Sequence, residues 1–163
     1  MKFDQGISDG QRAEELLCPS ARPEAPDALV FGVIERTAPG VDPRVAYLKD
    51  PQPASAELFN IVAPVDPGQV FRIAGTCVQS ECAHFDGVDC RLAARIVRQL
   101  AIVSARVPVC RLRPKCRWFK QEGTAACVRC PSIVSELVDP PDDLRSLAQP
   151  ELPKGASNAA DRA

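Results

Sequence analysis

The sequence lacks the features that would assign a function class directly. No motif names a catalysed reaction, no internal repeat is visible, and only one histidine, His84, occurs among the 163 residues. No stretch approaches the run of about 18 apolar residues that a membrane-spanning helix needs. The first residues, Met1 to Gly6, lack the basic start and apolar run of a secretory signal. We therefore expect a cytoplasmic protein that has no membrane partner.

Cysteine, by contrast, is abundant and clustered. Seven of the eight cysteines lie between positions 77 and 130. In a reducing compartment, clustered cysteines are more often metal ligands than disulfide partners. Thiolates are soft ligands that select zinc, copper(I) or iron–sulfur clusters, and four of them complete a tetrahedral zinc site or a 4Fe–4S cluster. The pattern predicts metal binding by Cys77, Cys82, His84, Cys90, Cys110, Cys116, Cys127 and Cys130.

His84 and Cys18 differ from the seven clustered cysteines. His84 lies between Cys82 and Cys90, where its imidazole could complete a site, although a lone histidine is often only hydrogen-bonded. Cys18 lies alone near the N-terminus and is interpreted as an ordinary, partly buried or exposed thiol. Because the seven clustered cysteines cannot fill two four-cysteine sites, one site is expected to use His84, another group or an open position.

A helix is expected between the two halves of the cysteine cluster. Apolar residues recur at helical spacing after Cys90, which predicts an amphipathic helix over 91–106 that ends before Pro108. Such a helix would be about 24 Å long, so Cys90 and Cys110 would belong to different sites.

The simplest partition has a first site and a second site, one on each side of the helix. The first would contain Cys77, Cys82, Cys90 and, as a further candidate, His84. The second would contain Cys110, Cys116, Cys127 and Cys130. In the rival arrangement, the chain returns along the helix and Cys127 or Cys130 completes the first site.

Spacing bears on which metal the cysteines would hold. Only one Cys-x2-Cys pair is present, Cys127 and Cys130, and the other gaps within the two halves are irregular. Zinc ribbons and fingers favour such close pairs at both ends, whereas iron–sulfur proteins tolerate irregular spacing. Pro131 follows Cys130, as proline follows a ligand cysteine in ferredoxin-type sequences. The spacing favours an iron–sulfur cluster, with zinc as the alternative cofactor.

Different functions follow from that choice. An iron–sulfur protein would act as an electron carrier, redox sensor or accessory subunit with a protein partner. A structural zinc module would present a basic surface to a protein or nucleic acid. An enzyme with an open iron position is a third hypothesis, because the clustered cysteines leave one ligand short, but no pattern identifies a substrate.

Two short segments carry a resemblance to a known group of proteins. Cys82-x2-Phe85-Asp86-Gly87-x2-Cys90 is followed by Arg113-Pro114-Lys115-Cys116-Arg117-Trp118-Phe119. Together they resemble the small bacterial cysteine-rich proteins described as zinc- or iron-chelating domains, in which an Arg-Pro element precedes a Cys-Arg pair. The resemblance covers about 50 residues and implies metal binding. The chain departs from that pattern in the number and order of its cysteines.

The segment 91–130 is strongly basic. It contains ten Lys or Arg and one acidic residue, a net charge of +9, although the whole chain carries only −1. Arginines beside Trp118 and Phe119 are compatible with a nucleic-acid surface. They would equally compensate thiolates, because a zinc or an oxidised 4Fe–4S core with four thiolates carries about −2. We favour compensation, with Arg113 and Arg117 as donors to the cofactor and the two aromatic residues shielding it.

The expected fold class is α+β, with a small β-rich N-terminal part followed by a metal-nucleated, helical and loop-rich cysteine domain. Strand-like runs begin at Ala28, Arg44 and Gln69, and a break is expected at Asp50-Pro51-Gln52-Pro53. A short helix or loop over 54–62 is expected to cover one sheet face. The predicted divisions are a flexible lead-in over 1–27 with a helical stretch at Gln11 to Leu17, a β-rich part over 28–76, a metal-binding domain over 77–138 and a disordered tail over 139–163.

Overall fold

The computed structural model describes residues 14–150, and their architecture is α+β. Its sheet has four antiparallel strands in the spatial order β1-β4-β2-β3. The strands are β1 (Leu17–Cys18), β2 (Leu29–Glu35), β3 (Arg44–Pro53) and β4 (Phe71–Thr76). The last three confirm the strands that the apolar runs predict, whereas β1 falls in the segment expected to be a flexible lead-in.

Six short α-helices accompany the sheet within the described range. They are α1 (Ala56–Val62), α2 (Pro67–Val70), α3 (Arg91–Gln99), α4 (Arg117–Glu122), α5 (Thr124–Cys127) and α6 (Asp142–Ala148). Single 3₁₀ turns form at Gln79–Glu81, Arg113–Lys115 and Cys130–Ser132. Across residues 14–150, none of the helices has the length and apolar character that crossing a membrane requires.

One face of the sheet is covered by α1, as the pattern over 54–62 predicts. Ser55 caps this helix by accepting a hydrogen bond from the Leu58 N–H at 3.2 Å. Phe59 then packs against Phe71 of β4, with ring centroids 6.4 Å apart. Buried Val30 and Ile73 lie in the same cluster, so this half of the core joins β2, β4 and α1.

The predicted break at Asp50-Pro51-Gln52-Pro53 is wrong, because β3 continues to Pro53. Its end pairs with β2, with Leu29 opposite Pro53 and Val30 opposite Gln52. A register shift between Val30 and Gly32 accompanies this extension. Prolines are tolerated here because β3 is the last strand in the sheet order and has a neighbour on one side only.

The predicted helix over 91–106 is too long, since α3 ends at Gln99. Leu100 is already extended, with φ −87° and ψ 144°, and its carbonyl accepts a hydrogen bond from Arg129 Nε at 2.8 Å. Val103 and Ser104 both donate backbone hydrogen bonds to the Val128 carbonyl. These bonds to the segment after α5 compete with further helix, so α3 is only about 14 Å long. The length of α3 therefore does not support the assignment of Cys90 and Cys110 to different metal sites.

A second core lies between α3, α4, α5 and α6. Its buried members are Ala93, Ile96, Trp118, Ala126 and Leu147. The presence of α6 corrects the expectation of disorder from residue 139 onward, because Leu147 anchors this helix in the core; residues 151–163 lie outside the described range. The helical stretch predicted at Gln11 to Leu17 is also not formed where it is described, since 14–16 are irregular and Leu17 belongs to β1.

We expect Leu147→Ala to lower the free energy of unfolding by about 2–4 kcal/mol, because it removes a buried side chain from the contact between α6 and α3. Urea denaturation of the two proteins measures the difference. Ser146→Ala is the matched control, since Ser146 is exposed on the same helix and should change stability by less than about 0.5 kcal/mol. Equal stability of Leu147→Ala and the unaltered chain would contradict the docking of α6.

Candidate metal centre

Cys82 and Cys90 stand at the two ends of a closed loop. The Phe85 N–H donates to the Cys82 carbonyl at 3.0 Å, and Phe85 forms an isolated antiparallel bridge with Cys90. Inside the loop, Asp86 Oδ1 accepts the backbone N–H groups of Asp89 and Val88, and these bonds lower the pKa of the Asp86 carboxyl. Gly87 has φ +103°, a backbone conformation that glycine adopts readily. The local sequence thus returns the chain from Cys82 to Cys90.

The backbone of Cys90 is held by a side chain from α4. Gln121 Oε1 accepts the Cys90 N–H at 2.7 Å, and Gln121 Nε2 donates to the Cys90 carbonyl at 2.9 Å. Cys90 is the residue immediately before α3. Burial raises the pKa of its thiol, while the amides of Ala93 and Leu92 oppose that rise without forming a side-chain cap. The Gln121 hydrogen bonds and the position directly before α3 together fix where the Cys90 sulfur lies.

We expect Gln121→Ala to destabilise the protein by about 1–3 kcal/mol, because both backbone groups of Cys90 lose a partly buried partner. Amide hydrogen exchange should show faster exchange at Cys90 in this variant. Lys120→Ala is the control on the same helix, where the exposed ion pair with Glu14 at 3.3 Å contributes about 0–1 kcal/mol. An unchanged rate of amide exchange at Cys90 in Gln121→Ala would show that the two Gln121 hydrogen bonds do not hold the Cys90 backbone.

Cys18 lies in β1, and Cys77 directly follows the neighbouring strand β4. Cys18 pairs with Gly75 in β4, two residues before Cys77, and the Cys77 N–H donates to the Leu16 carbonyl at 2.8 Å. Burial raises the pKa of the Cys18 thiol to about 12. The sulfurs of Cys90, Cys77 and Cys82 raise this pKa further, by less than burial does. No local pattern pointed to Cys18, because its position beside Gly75 depends on the pairing of β1 with β4.

His84 lies beside this first group, and its ring is already engaged. Arg95 Nη2 lies 2.9 Å from His84 Nδ1, and Arg95 is almost fully buried. Burial and the Arg95 charge lower the pKa of His84, so the ring is neutral near pH 7. Because a guanidinium can only donate hydrogen bonds, Nδ1 accepts and the ring proton is on Nε2.

The second group of cysteines lines one cavity. This cavity has a volume of about 30 Å³ and is bordered by aromatic rings as well as sulfur. Its cysteines are Cys110, Cys116, Cys127 and Cys130, which are the four that the simplest partition assigns to the second site. Burial raises the pKa of the Cys116 thiol to about 11, and the thiols of Cys130 and Cys110 act on it in the same direction.

Arg72 is the buried cation of this second group. It is fully buried in β4, and its Nη1 lies 3.5 Å from Cys130 Sγ and 3.1 Å from the Cys130 carbonyl. Its remaining hydrogen bonds go to the carbonyls of Ile133 and Pro19, and its guanidinium lies 5.2 Å from the centre of the Phe31 ring. None of these partners is a carboxylate. A charge buried in this way requires a counter-charge to offset its lost hydration.

Of the two arginines predicted to face the cofactor, Arg113 borders the four-cysteine cavity, whereas Arg117 contacts the loop that ends at Cys90. Arg113 donates to the Pro108 carbonyl, lies over the Phe119 ring and helps to lower the pKa of Cys110 against the larger effect of burial. Arg117 donates to the Val88 carbonyl at 2.7 Å and lies 5.1 Å from the centre of the Phe85 ring. Their predicted donation to cofactor sulfur stays a prediction.

Two important residues escaped sequence reasoning, Cys18 and Arg72. Cys18 carries no local signal. For Arg72 a signal existed, because a single cation interrupts the apolar run Val70 to Ala74 of a central strand. Charged residues are almost never fully buried unless they are paired, so an arginine at such a position indicates an anionic partner inside the fold.

The thiols are neighbours rather than a closed coordination set. Among residues 14–150, no three or more histidine, cysteine, aspartate or glutamate side chains form a group that could hold a metal ion as they stand. All eight cysteines are free thiols and partly buried. No family model matches the chain, and neither a curated protein nor a solved structure shows significant similarity to it. The functional interpretation therefore depends on the chemistry of these residues.

Proposed function

We propose that the protein binds metal through its clustered cysteines and is an iron–sulfur protein that acts as an electron carrier, redox sensor or accessory subunit. One observation carries this proposal: Cys110, Cys116, Cys127 and Cys130, which span 21 positions of sequence, border a single cavity. Four thiolates are the ligand number that a 4Fe–4S cluster or a structural zinc requires. On binding, the sulfurs lose their protons and close around the metal.

Arg72 supports the same proposal through charge. Four thiolates around a 2+ zinc or an oxidised 4Fe–4S core carry a net charge of about −2. That charge, next to Cys130, supplies the anion that the buried guanidinium otherwise lacks among its hydrogen-bond partners. Ordinary buried cysteines are neutral and would leave this cation uncompensated.

The surroundings of the sulfurs favour a cluster over zinc. Burial raises the pKa of the Cys110 and Cys116 thiols, nearby backbone amides partly offset that rise, and Arg72 donates toward Cys130 Sγ. Hydrogen bonds to sulfur, together with solvent exclusion, are the means by which proteins set a cluster's reduction potential. Trp118 and Phe119 border the same cavity and limit water around it. Such an environment suits exchange of electrons with a protein partner.

The alternative, a structural zinc module with a basic nucleic-acid surface, receives less support. Such a surface needs guanidinium and ammonium groups that are free to reach phosphates. Arg111 instead donates to the Lys49 carbonyl at 3.0 Å, and Lys120 contacts Glu14. Together with the inward contacts of Arg113 and Arg117, this arrangement is what charge compensation within the protein would produce.

Purification without oxygen, followed by visible absorption and analysis of iron, sulfide and zinc, tests the proposal. We expect a brown protein that contains iron and acid-labile sulfide in equal amounts. A colourless protein loaded with zinc would contradict the iron–sulfur assignment and leave metal binding intact. A protein without bound metal after anaerobic purification and after reconstitution with ferrous iron and sulfide would contradict the whole proposal.

A further inference from the structure

Cys18 lies next to three cysteines that are short of one thiolate ligand. The four-cysteine cavity uses Cys110, Cys116, Cys127 and Cys130, which leaves Cys77, Cys82 and Cys90 outside it. Three sulfurs do not complete a tetrahedral zinc site or a 4Fe–4S cluster. The missing ligand must come from elsewhere in the fold, and the candidates beside this group are Cys18 and His84.

The sheet register brings Cys18 close to Cys77. Leu17 pairs with Thr76 and Cys18 pairs with Gly75, so Cys77 continues the same ladder two positions beyond Cys18's partner. The Cys77 N–H completes that ladder through its hydrogen bond to the Leu16 carbonyl. Residues at such diagonal positions lie about 7–8 Å apart and face the same side of the sheet. The position opposite Cys18 is Gly75, where the side chains of Ala21, Ala25 and Asp27 pack against the strand.

Helix α4 connects this pair of strands to Cys90. At the start of α4, Cys116 forms an isolated parallel bridge with Leu17, the residue before Cys18. At its last turn, Gln121 holds both backbone groups of Cys90. Because α4 contains six residues, these two contacts are separated by less than about 9 Å along the helix. The closed loop that joins Cys82 to Cys90 then brings Cys82 back toward Cys90.

The contact of His84 with Arg95 disfavours His84 as the fourth ligand. With Nδ1 accepting from Arg95, the neutral imidazole carries its proton on Nε2, which then has no free electron pair for a metal. Coordination through Nε2 would move the proton to Nδ1, where it would point at the guanidinium N–H. Coordination through Nδ1 would displace Arg95. Either change would break the hydrogen bond of an almost fully buried arginine.

We propose that Cys18, Cys77, Cys82 and Cys90 form the first site as a four-thiolate metal site, so that all eight cysteines serve as ligands in two sets of four. This inference rests on the proposed function. Cys18 then joins the N-terminal strand to the cysteine-rich part of the chain, and His84 with Arg95 lies outside the coordination sphere. Helix α4 contacts both sites, because Trp118 and Phe119 border the four-cysteine cavity and Gln121 holds the backbone of Cys90.

Metal analysis of Cys18→Ser and His84→Ala, both purified without oxygen from the full chain, tests this site. We expect Cys18→Ser to retain half of the metal of the unaltered protein, and Cys77→Ser to show the same loss. His84→Ala should keep the full amount. Full metal in Cys18→Ser together with a loss in His84→Ala would overturn the proposal while leaving the proposed function standing. Absence of metal from the unaltered protein would instead overturn the proposed function, and this site with it.

Alkylation of the unaltered protein gives a second measurement that does not depend on the variants folding. Native protein is treated with iodoacetamide before and after metal removal, and the labelled cysteines are identified by peptide mass spectrometry. We expect Cys18 to be protected in the metal-bound protein as strongly as Cys77, and to be labelled once metal is removed. Rapid labelling of Cys18 in metal-bound protein, with Cys77 protected, would overturn the proposal.

Discussion

Replacing Arg72 with methionine will destabilise the metal-bound protein by about 3–5 kcal/mol more than the metal-free protein. The reason is that the fully buried guanidinium lies against Cys130, and within residues 14–150 its hydrogen bonds go to carbonyls and a thiol, with the Phe31 and Trp118 rings beside it. With metal bound, Arg72 faces a net negative charge, and removing one partner of a buried charge pair is costly. Without metal, the same cation has no anion beside it, so its loss costs much less. Urea denaturation with and without metal measures the difference.

Arg72→Lys is the control for this prediction. Lysine keeps the charge but cannot reach the Cys130, Ile133 and Pro19 carbonyls at once, as the forked guanidinium does. We expect its metal-bound form to fall between the unaltered protein and Arg72→Met. Equal losses with and without metal in Arg72→Met would show that Arg72 serves only the fold, and would remove the charge argument for the second site.

Trp118→Ala will lower the free energy of unfolding by about 3–5 kcal/mol, because Trp118 is the largest fully buried side chain of the second core. Its ring packs with Ile96 of α3 and Leu147 of α6, and it also borders the four-cysteine cavity. The deletion should therefore loosen metal at Cys110 to Cys130 as well as weaken the fold. Thermal unfolding and the rate of metal loss to a chelator measure the two effects.

Trp118→Phe tests the role of the indole N–H separately from the packing of the ring. The indole Nε1 is buried without a hydrogen-bond partner among the described residues, so phenylalanine loses no hydrogen bond and only part of the packing. We expect a clearly smaller destabilisation than in Trp118→Ala, and metal retention close to that of the unaltered protein. Metal loss in Trp118→Phe equal to that in Trp118→Ala would assign a direct role to the indole N–H.

The sheet could be predicted from the sequence because its signals are local. Runs of β-branched and apolar residues bounded by proline and glycine predict β2, β3 and β4 and the intervening helix α1. The end of α3 could not be predicted in the same way, since it depends on Arg129 and Val128, which hold the backbone near Leu100 and Val103 from 25 or more positions away. Helical periodicity in 100–106 was real, but tertiary hydrogen bonds overrode it.

The grouping of Cys110, Cys116, Cys127 and Cys130 agrees with the simplest partition, but the long helix on which that partition was based is not formed. The long helix that was expected to separate Cys90 from Cys110 is not present, yet Cys110, Cys116, Cys127 and Cys130 do border one cavity. Helix α4 contacts both groups, since Trp118 borders the cavity and Gln121 holds the backbone of Cys90. Cys18 lay beyond prediction, because a strand of two residues has no recognisable pattern and acquires its position from β4.

Native mass spectrometry of the anaerobically purified full chain is the most direct test of the claim that all eight cysteines are metal ligands. The account predicts a mass increase that corresponds to two 4Fe–4S clusters per chain, with no thiol oxidised. An increase of two zinc ions would preserve the sites and change the metal. A chain at its metal-free mass after reconstitution, or one whose mass shows disulfide bonds between these cysteines, would contradict the account.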